Sequence, residues 1–334
     1  MKRIGNIVAF TVVGIMFVFK SYVIVIGQTK PVLVALNKAE ANMAIIDPAT
    51  MTVTGKVPVG DGPHEVVLSA DGKTAYVANY GNQQPGNSIS IIDIASAKEL
   101  KRVDLLPIIR PHGLQLIGTK LYFSAEANRM IGRIDTASGK IDWMMGSGQN
   151  GTHMVAGTAD HKKFTTANIG SDSVTIFEFA NGAGNPGQSK ITHVAVGKQP
   201  EAVDISPDGK EVWTGLNVDG QVEVVDAVTY KSVAKIDTKG RPYRVRFTPD
   251  GKTVVCTMLP TKDLVIIDVA TRKETKRIKL ESVPLGIAFS ADGKTAYITV
   301  VQPDAVLKVN LESGEVTGRV VTGNGPDGIA VAGT

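Results

Sequence analysis

The stretch Gly62-Pro63-His64-Glu65-Val66-Val67-Leu68-Ser69-Ala70-Asp71-Gly72-Lys73-Thr74-Ala75-Tyr76-Val77-Ala78-Asn79 sets the pattern of the whole chain. Residues 65–69 and 74–79 are short apolar runs on either side of Asp71-Gly72, and Asp-Gly between β-prone runs marks a tight hairpin turn. Further along, Ser88–Asp93 and residues 100–105 read as a third and a fourth strand, so one unit holds four strands. The turn returns as Asp208-Gly209-Lys210, Asp250-Gly251-Lys252 and Asp292-Gly293-Lys294. The opening proline returns as Pro111, Pro200, Pro242, Pro284 and Pro326, with Thr152 in its place once. Successive openers are 48, 41, 48, 42, 42 and 42 residues apart. Four short strands at that period are the signature of a β-propeller blade.

The last opener, Gly325-Pro326-Asp327, is followed by a single strand's worth of sequence. Residues 32–59 supply three more strands and carry the Ile45-Ile46-Asp47 ending typical of a third strand. One C-terminal strand and three N-terminal strands therefore complete a seventh blade. The fold class that follows is all-β, a seven-bladed β-propeller whose ring is closed by joining the two ends of the chain. Closure removes the free sheet edges that invite aggregation.

Residues 1–27 differ from the rest. Lys2 and Arg3 precede an apolar run over residues 4–19, then Lys20 and a second apolar run. This reads as a secretory signal peptide with Val25 and Gly27 before the cleavage point, or as an N-terminal membrane anchor over residues 4–26 if Lys20 is tolerated. Either way residues 28–334 form one exported domain, periplasmic or extracellular. The net charge of +4 falls to about +1 without the leader, which argues against nucleic acid as a partner. The lone Cys256 lies in an apolar run and reads as a core residue. Without Cys-x-x-Cys-His there is no covalent haem.

With the units aligned, Tyr76-Val77-Ala78-Asn79 and Tyr297-Ile298-Thr299, each after Asp-Gly-Lys-Thr, resemble the Tyr-Val-Thr-Asn repeat family of seven-bladed propellers. That family includes surface-layer-like and periplasmic YncE-like proteins, and its shape is similar to lactonase-type and cytochrome d1-type propellers. The resemblance implies an exported, monomeric propeller. Its motif is structural and brings no catalytic residues with it.

Chemistry is sought where the units differ. The residue after each opener runs His64, His112, His153, Glu201, Tyr243, Leu285, Asp327. The second strands end, in the same order, at Asn79, Glu126, Asn168, Asn217, Met258, Val300 and Asn37. Three of the five histidines thus share one position in three consecutive blades. Both positions lie at the end of the blade that carries the connecting loops, near the central channel. His64, His112 and His153 suit a divalent metal such as Zn, Cu, Fe or Ni. Glu126 is the candidate catalytic base beside them. Asn79, Asn168, Asn217, Arg110 and Glu201 are candidate ligand-binding residues on the same face.

Three functions remain open on these grounds. The first is a propeller that binds a metal ion or small ligand, the second a metal-dependent lyase or hydrolase of a small carbonyl substrate. The third is a cell-surface scaffold for a protein partner. Other signals carry less. Gly146-Ser147-Gly148-Gln149-Asn150-Gly151 matches a dinucleotide fingerprint literally, but a strand follows it where a helix is required, so no dinucleotide is expected. The acids at third-strand ends, Asp93, Asp135, Asp226 and Asp268, read as turn caps. Trp143 and Trp213 read as core.

Overall fold

A computed structural model of the chain describes residues 31–182 and 186–333. The leader assigned to residues 1–27 lies outside them. Among the described residues no helix is long and apolar enough to cross a membrane.

Seven antiparallel sheets of four strands stand round one axis. Six are built from consecutive strands. The seventh runs Pro326–Ala332, Val32–Asn37, Asn42–Asp47 and Thr52–Pro58, and pairs Leu33 with Val331 and Val34 with Ala330. The ring is therefore closed by the two chain ends, as the sequence implies. Numbering blades from the first complete unit, blade 1 comprises Pro63–Leu68, Thr74–Asn79, Ser88–Asp93 and Lys98–Asp104. Its first strand starts two residues earlier than residues 65–69 suggest, because Pro63 pairs with Asn79 at the strand's entry, where a missing N–H costs little. The outer strand likewise begins at Lys98 instead of residue 100.

Burial follows position in the blade. Second and third strands are buried on both faces, because each blade is sandwiched between two others. Their apolar side chains meet across the blade interfaces, as Tyr76 and Ile89 do with Leu114 and Phe123. Trp213 and Cys256 are fully buried in one such interface, and Trp143 is buried in another. Outer strands alternate and carry lysines on their free edges, which discourages edge pairing.

The Asp-Gly turns work as their sequence suggests. Asp71 accepts bonds from the Ser69 hydroxyl (2.6 Å) and the Lys73 amide (3.1 Å), and Gly72 takes a left-handed φ of 68°. In blade 3 His161 occupies that place, with φ 59° and Nδ1 2.8 Å from the Tyr122 hydroxyl. Asp93, Asp135, Asp226 and Asp268 each accept the amide of the residue three positions on. Those acids cap turns on the face opposite the histidines.

One irregularity recurs in every blade. The pairing of first with second strand slips just after the opener, between Pro63 and Glu65 in blade 1 and at the equivalent point in the other six. A bulge of this kind re-aims the side chains at the slip. In blades 1, 2, 3, 4 and 7 the bulged segments bring His64, His112, His153, Glu201 and Asp327 together near the axis.

Candidate functional site

The bulges deliver His64, His112 and His153 into one stack. The His64 and His112 ring centroids are 4.0 Å apart, and those of His112 and His153 are 3.7 Å apart. The Tyr80 ring closes the group edge-on, 5.6 Å from His64 and 5.4 Å from His112.

The spacing is set by how closely the backbones approach. A bare Gly113 follows His112, and a Cβ there would lie 2.7 Å from the Val155 amide nitrogen. The Ser124 hydroxyl, one strand out, accepts from the Gly113 amide (2.8 Å) and donates to the His153 carbonyl. One side chain thus ties the backbones that carry the two rings. Gly328 has the same role between blades 7 and 1, where an added Cβ would meet the His64 carbonyl at 2.4 Å.

Polar groups are distributed unevenly round the stack. His112 is 0% exposed, and neither of its ring nitrogens has a hydrogen bond. His64 approaches Asp327 (Nδ1 to Oδ2, 3.3 Å) and, at 4.0 Å, Glu65. His153 stands between two carboxylates, with Nδ1 3.5 Å from Glu126 and Nε2 3.4 Å from Glu201. At these lengths and angles the contacts act as charge pairs, not aligned hydrogen bonds. Opposite, the buried Arg244 pairs with Glu65 across the channel and lies 3.8 Å from Asp327, which Lys38 approaches at 3.7 Å.

Protonation follows these surroundings. Burial lowers the His64 pKa to about 3, helped by the charges of Lys38 and Arg244. Burial also holds His112 well below its ordinary value, with His153 and His64 adding to the effect. For His153 burial works the same way, but Glu126 and Glu201 outweigh it and raise the pKa. Burial pushes Asp327 up, and burial with the bond to Glu126 pushes Tyr80 up to about 12. The cluster therefore holds two neutral imidazoles beside a third that favours its cation.

One set of donors comes together. His64, Glu65 and His112 each offer a ligand atom, all within 4.8 Å of one another. A tetrahedral ion with bonds of about 2.0–2.1 Å needs donors roughly 3.3–3.4 Å apart, so loading would draw them inward by about an ångström. The structure brings two of the three expected histidines into this set and adds Glu65, while His153 faces its carboxylates.

The other expected residues divide. Glu126 and Glu201 join the cluster through His153, and Glu126 also accepts from the Tyr80 hydroxyl (2.8 Å). Arg110 lies over the Tyr80 ring (4.6 Å) and bonds the Gly81 and Asn82 carbonyls, so it positions Tyr80 without reaching the imidazoles. The asparagines sit one strand out and spend their amides on the blade. Asn79 accepts from the Gly60 amide and donates to Ser88 and Ser90, and Asn168 bonds four hydroxyls. Asn217 accepts from Arg241 (2.6 and 2.9 Å).

Sequence reasoning passed over Glu65 and Tyr80. Neighbours along a strand face opposite sides, so Glu65 beside His64 reads as pointing away, and only the bulge reverses that. Asp327 stood in the position after the opener and carried a signal that was not used.

A sequence-family profile described as YNCE-like beta-propeller matches residues 130–292 and 185–334, together well over half of the chain. No curated protein matches the chain in sequence. Among solved structures, a functionally unknown protein from Desulfotomaculum acetoxidans DSM 771 superposes with a TM-score of 0.75 at 11% identity, covering 90% of this chain and 98% of its own. Hydrazine synthase from Kuenenia stuttgartiensis gives 0.67 at 19% identity, covering 92% and 99%. Dihydro-heme d1 dehydrogenase NirN, in complex with DHE, gives 0.61 at 15% identity, covering 90% and 75%. At these identities the likeness is one of fold.

Proposed function

The chain belongs to the YNCE-like β-propeller family, and from that premise we propose that it is a binding propeller whose channel mouth holds one divalent transition-metal ion. The ligands are the imidazoles of His64 and His112 and the carboxylate of Glu65. His112 carries this reading. A neutral imidazole presents one donor and one acceptor, and burying both without a partner costs about 1–3 kcal/mol each. An ion that takes the lone pair, with a bound water or anion near the N–H, answers that cost.

Donor type and charge support the same choice. Two imidazoles and one carboxylate suit zinc, copper, nickel or ferrous iron, whereas calcium and magnesium prefer oxygen alone. Glu65, Glu126, Glu201 and Asp327 outnumber Arg244, Lys38 and the His153 cation, so an arriving dication meets no net positive barrier. Three protein ligands leave a coordination position for a small molecule. Glu126, 3.5 Å from His153 and bonded to the Tyr80 hydroxyl, is the candidate proton acceptor of the cluster, which keeps a hydrolytic or lyase activity within reach of the same site. The basic start and apolar run over residues 2–27 support reading this site as exported, periplasmic or extracellular.

The test is metal binding by the purified protein, measured by competition with a chromogenic chelator for Zn²⁺, Cu²⁺ and Ni²⁺. One ion per chain is expected, and His64→Ala with His112→Ala should abolish it. Equal stoichiometry in wild type and the double variant would sink the proposal.

A further inference from the structure

We propose that Asn150 is a site of spontaneous covalent modification, which the native fold leaves open to conversion into aspartate and isoaspartate. The sequence holds three Asn-Gly steps, Asn150-Gly151, Asn181-Gly182 and Asn324-Gly325. At such a step the glycine amide nitrogen can attack the asparagine side-chain carbonyl, because glycine has no Cβ to obstruct the approach. The amide proton goes to hydroxide, a C–N bond forms, and the side-chain nitrogen leaves as ammonia after taking a proton from water. A cyclic imide remains. Water opens it at either carbonyl, giving aspartate or an isoaspartate whose backbone runs through the side chain. Nothing is oxidised or reduced, and the step requires a glycine amide free of any acceptor.

The fold treats the three steps differently. The Gly325 amide donates to the Asp304 carboxylate (2.7 Å) and the Gly182 amide to the Phe179 carbonyl (3.3 Å), so both nitrogens are engaged. Among the described residues no acceptor meets the Gly151 amide, and no partner meets the side chain of the exposed Asn150. The rest of that loop is fastened. The Asn150 amide donates to the Ser171 hydroxyl (2.9 Å), and its backbone carbonyl accepts the Gly170 amide (3.1 Å). The Gly151 carbonyl accepts the Ile169 amide (2.9 Å), and the Thr152 hydroxyl donates to the Gln149 carbonyl (3.1 Å). Gly151 itself takes a left-handed φ of 62°. The two reacting groups are therefore held on neighbouring residues with nothing bonded to either, and ring closure consumes none of the groups that hold the loop.

The product lies beside the imidazole stack. Gly151 precedes Thr152, the buried opener of blade 3, and His153 follows it. Conversion adds one negative charge to the loop that leads into His153, and isoaspartate adds a backbone carbon as well. None of this chemistry involves His64, His112 or a metal ion.

The test holds the purified protein in mild alkali, digests samples with trypsin in mild acid, and follows the change from NH₂ to OH by mass spectrometry. Asn150 falls in the fragment 141–162 and Asn324 in the fragment 320–334, and each is the sole asparagine of its fragment. In the folded protein Asn150 should convert about ten times faster than Asn324, or more, because the Gly325 amide must first leave Asp304 by local opening. In urea the two rates should converge. Asp304→Ala, which frees the Gly325 amide, should raise the Asn324 rate toward that of Asn150. Asn150→Ser should remove the mass change from its fragment. Equal rates in the folded wild type, an Asn150 that reacts only in urea, or a mass change that survives Asn150→Ser would overturn the proposal.

Discussion

Replacing His112 by leucine should make the metal-free protein more stable. The imidazole is wholly buried, and both ring nitrogens lack partners. At about 1–3 kcal/mol for each unpaired group, the native residue carries a penalty of about 2–6 kcal/mol. Leucine is close in volume and has no polar atom, but it forfeits two stacked ring contacts, at 4.0 and 3.7 Å. Each such contact is worth about 0.5–1.5 kcal/mol beyond burial. At mid-range values, about 4 against about 2, the difference is a net gain of about 2 kcal/mol. Urea unfolding after chelator treatment, followed through the buried Trp213 and Trp143, reads it as a higher midpoint. With zinc present the order should reverse. An ion at a hundred times its dissociation constant stabilises the wild type by about 2.7 kcal/mol and leaves the variant unchanged. A variant less stable than wild type in chelator, or equal zinc protection of both, would refute the reasoning.

Three more outcomes follow from the same geometry. The metal-free protein should lose stability as pH falls below about 6.5. His64 refuses in the folded state, where its pKa is about 3, a proton that the unfolded chain accepts. The stabilisation is complete above the ordinary histidine value, and about 4–5 kcal/mol is lost by pH 3. His112 acts in the same sense and His153 in the opposite one. Melting curves from pH 8 to 4 should therefore be flatter for His64→Leu with His112→Leu, and parallel curves would contradict this. Gly113→Ala places a Cβ against the Val155 backbone. It should cost about 1–3 kcal/mol and weaken zinc binding at least tenfold in chelator competition, whereas unchanged affinity would detach the stack's spacing from ion binding. Asn79→Ala removes three buried bonds. It should cost about 2–4 kcal/mol in urea unfolding yet leave zinc affinity unchanged, and a large affinity loss would return Asn79 to the site.

The blade order was readable because it rests on local signals. Asp-Gly turns, alternating apolar runs and a proline at six of the seven openers recur every 41 to 48 residues, and the unpaired strand at Pro326–Ala332 needed the three at the N-terminus. The histidines were readable as a group because the same ruler put His64, His112 and His153 at one position. Their division of labour was not. Glu65 reaches the donor set only through a one-residue slip in pairing. His153 leaves that set because Glu126 and Glu201 come from the blades on either side of it. The asparagines shared the face but stand one strand further from the axis, where blade hydroxyls and loop amides consume them. Alternation along a strand is legible in sequence, whereas a bulge and a contact between blades depend on the closed ring.

The most direct test of a metal at the channel mouth is diffraction from zinc-soaked crystals, collected on both sides of the zinc absorption edge. One anomalous peak is expected about 2 Å from His64, His112 and Glu65. An empty channel mouth at saturating zinc, or a peak held by other residues, would contradict it.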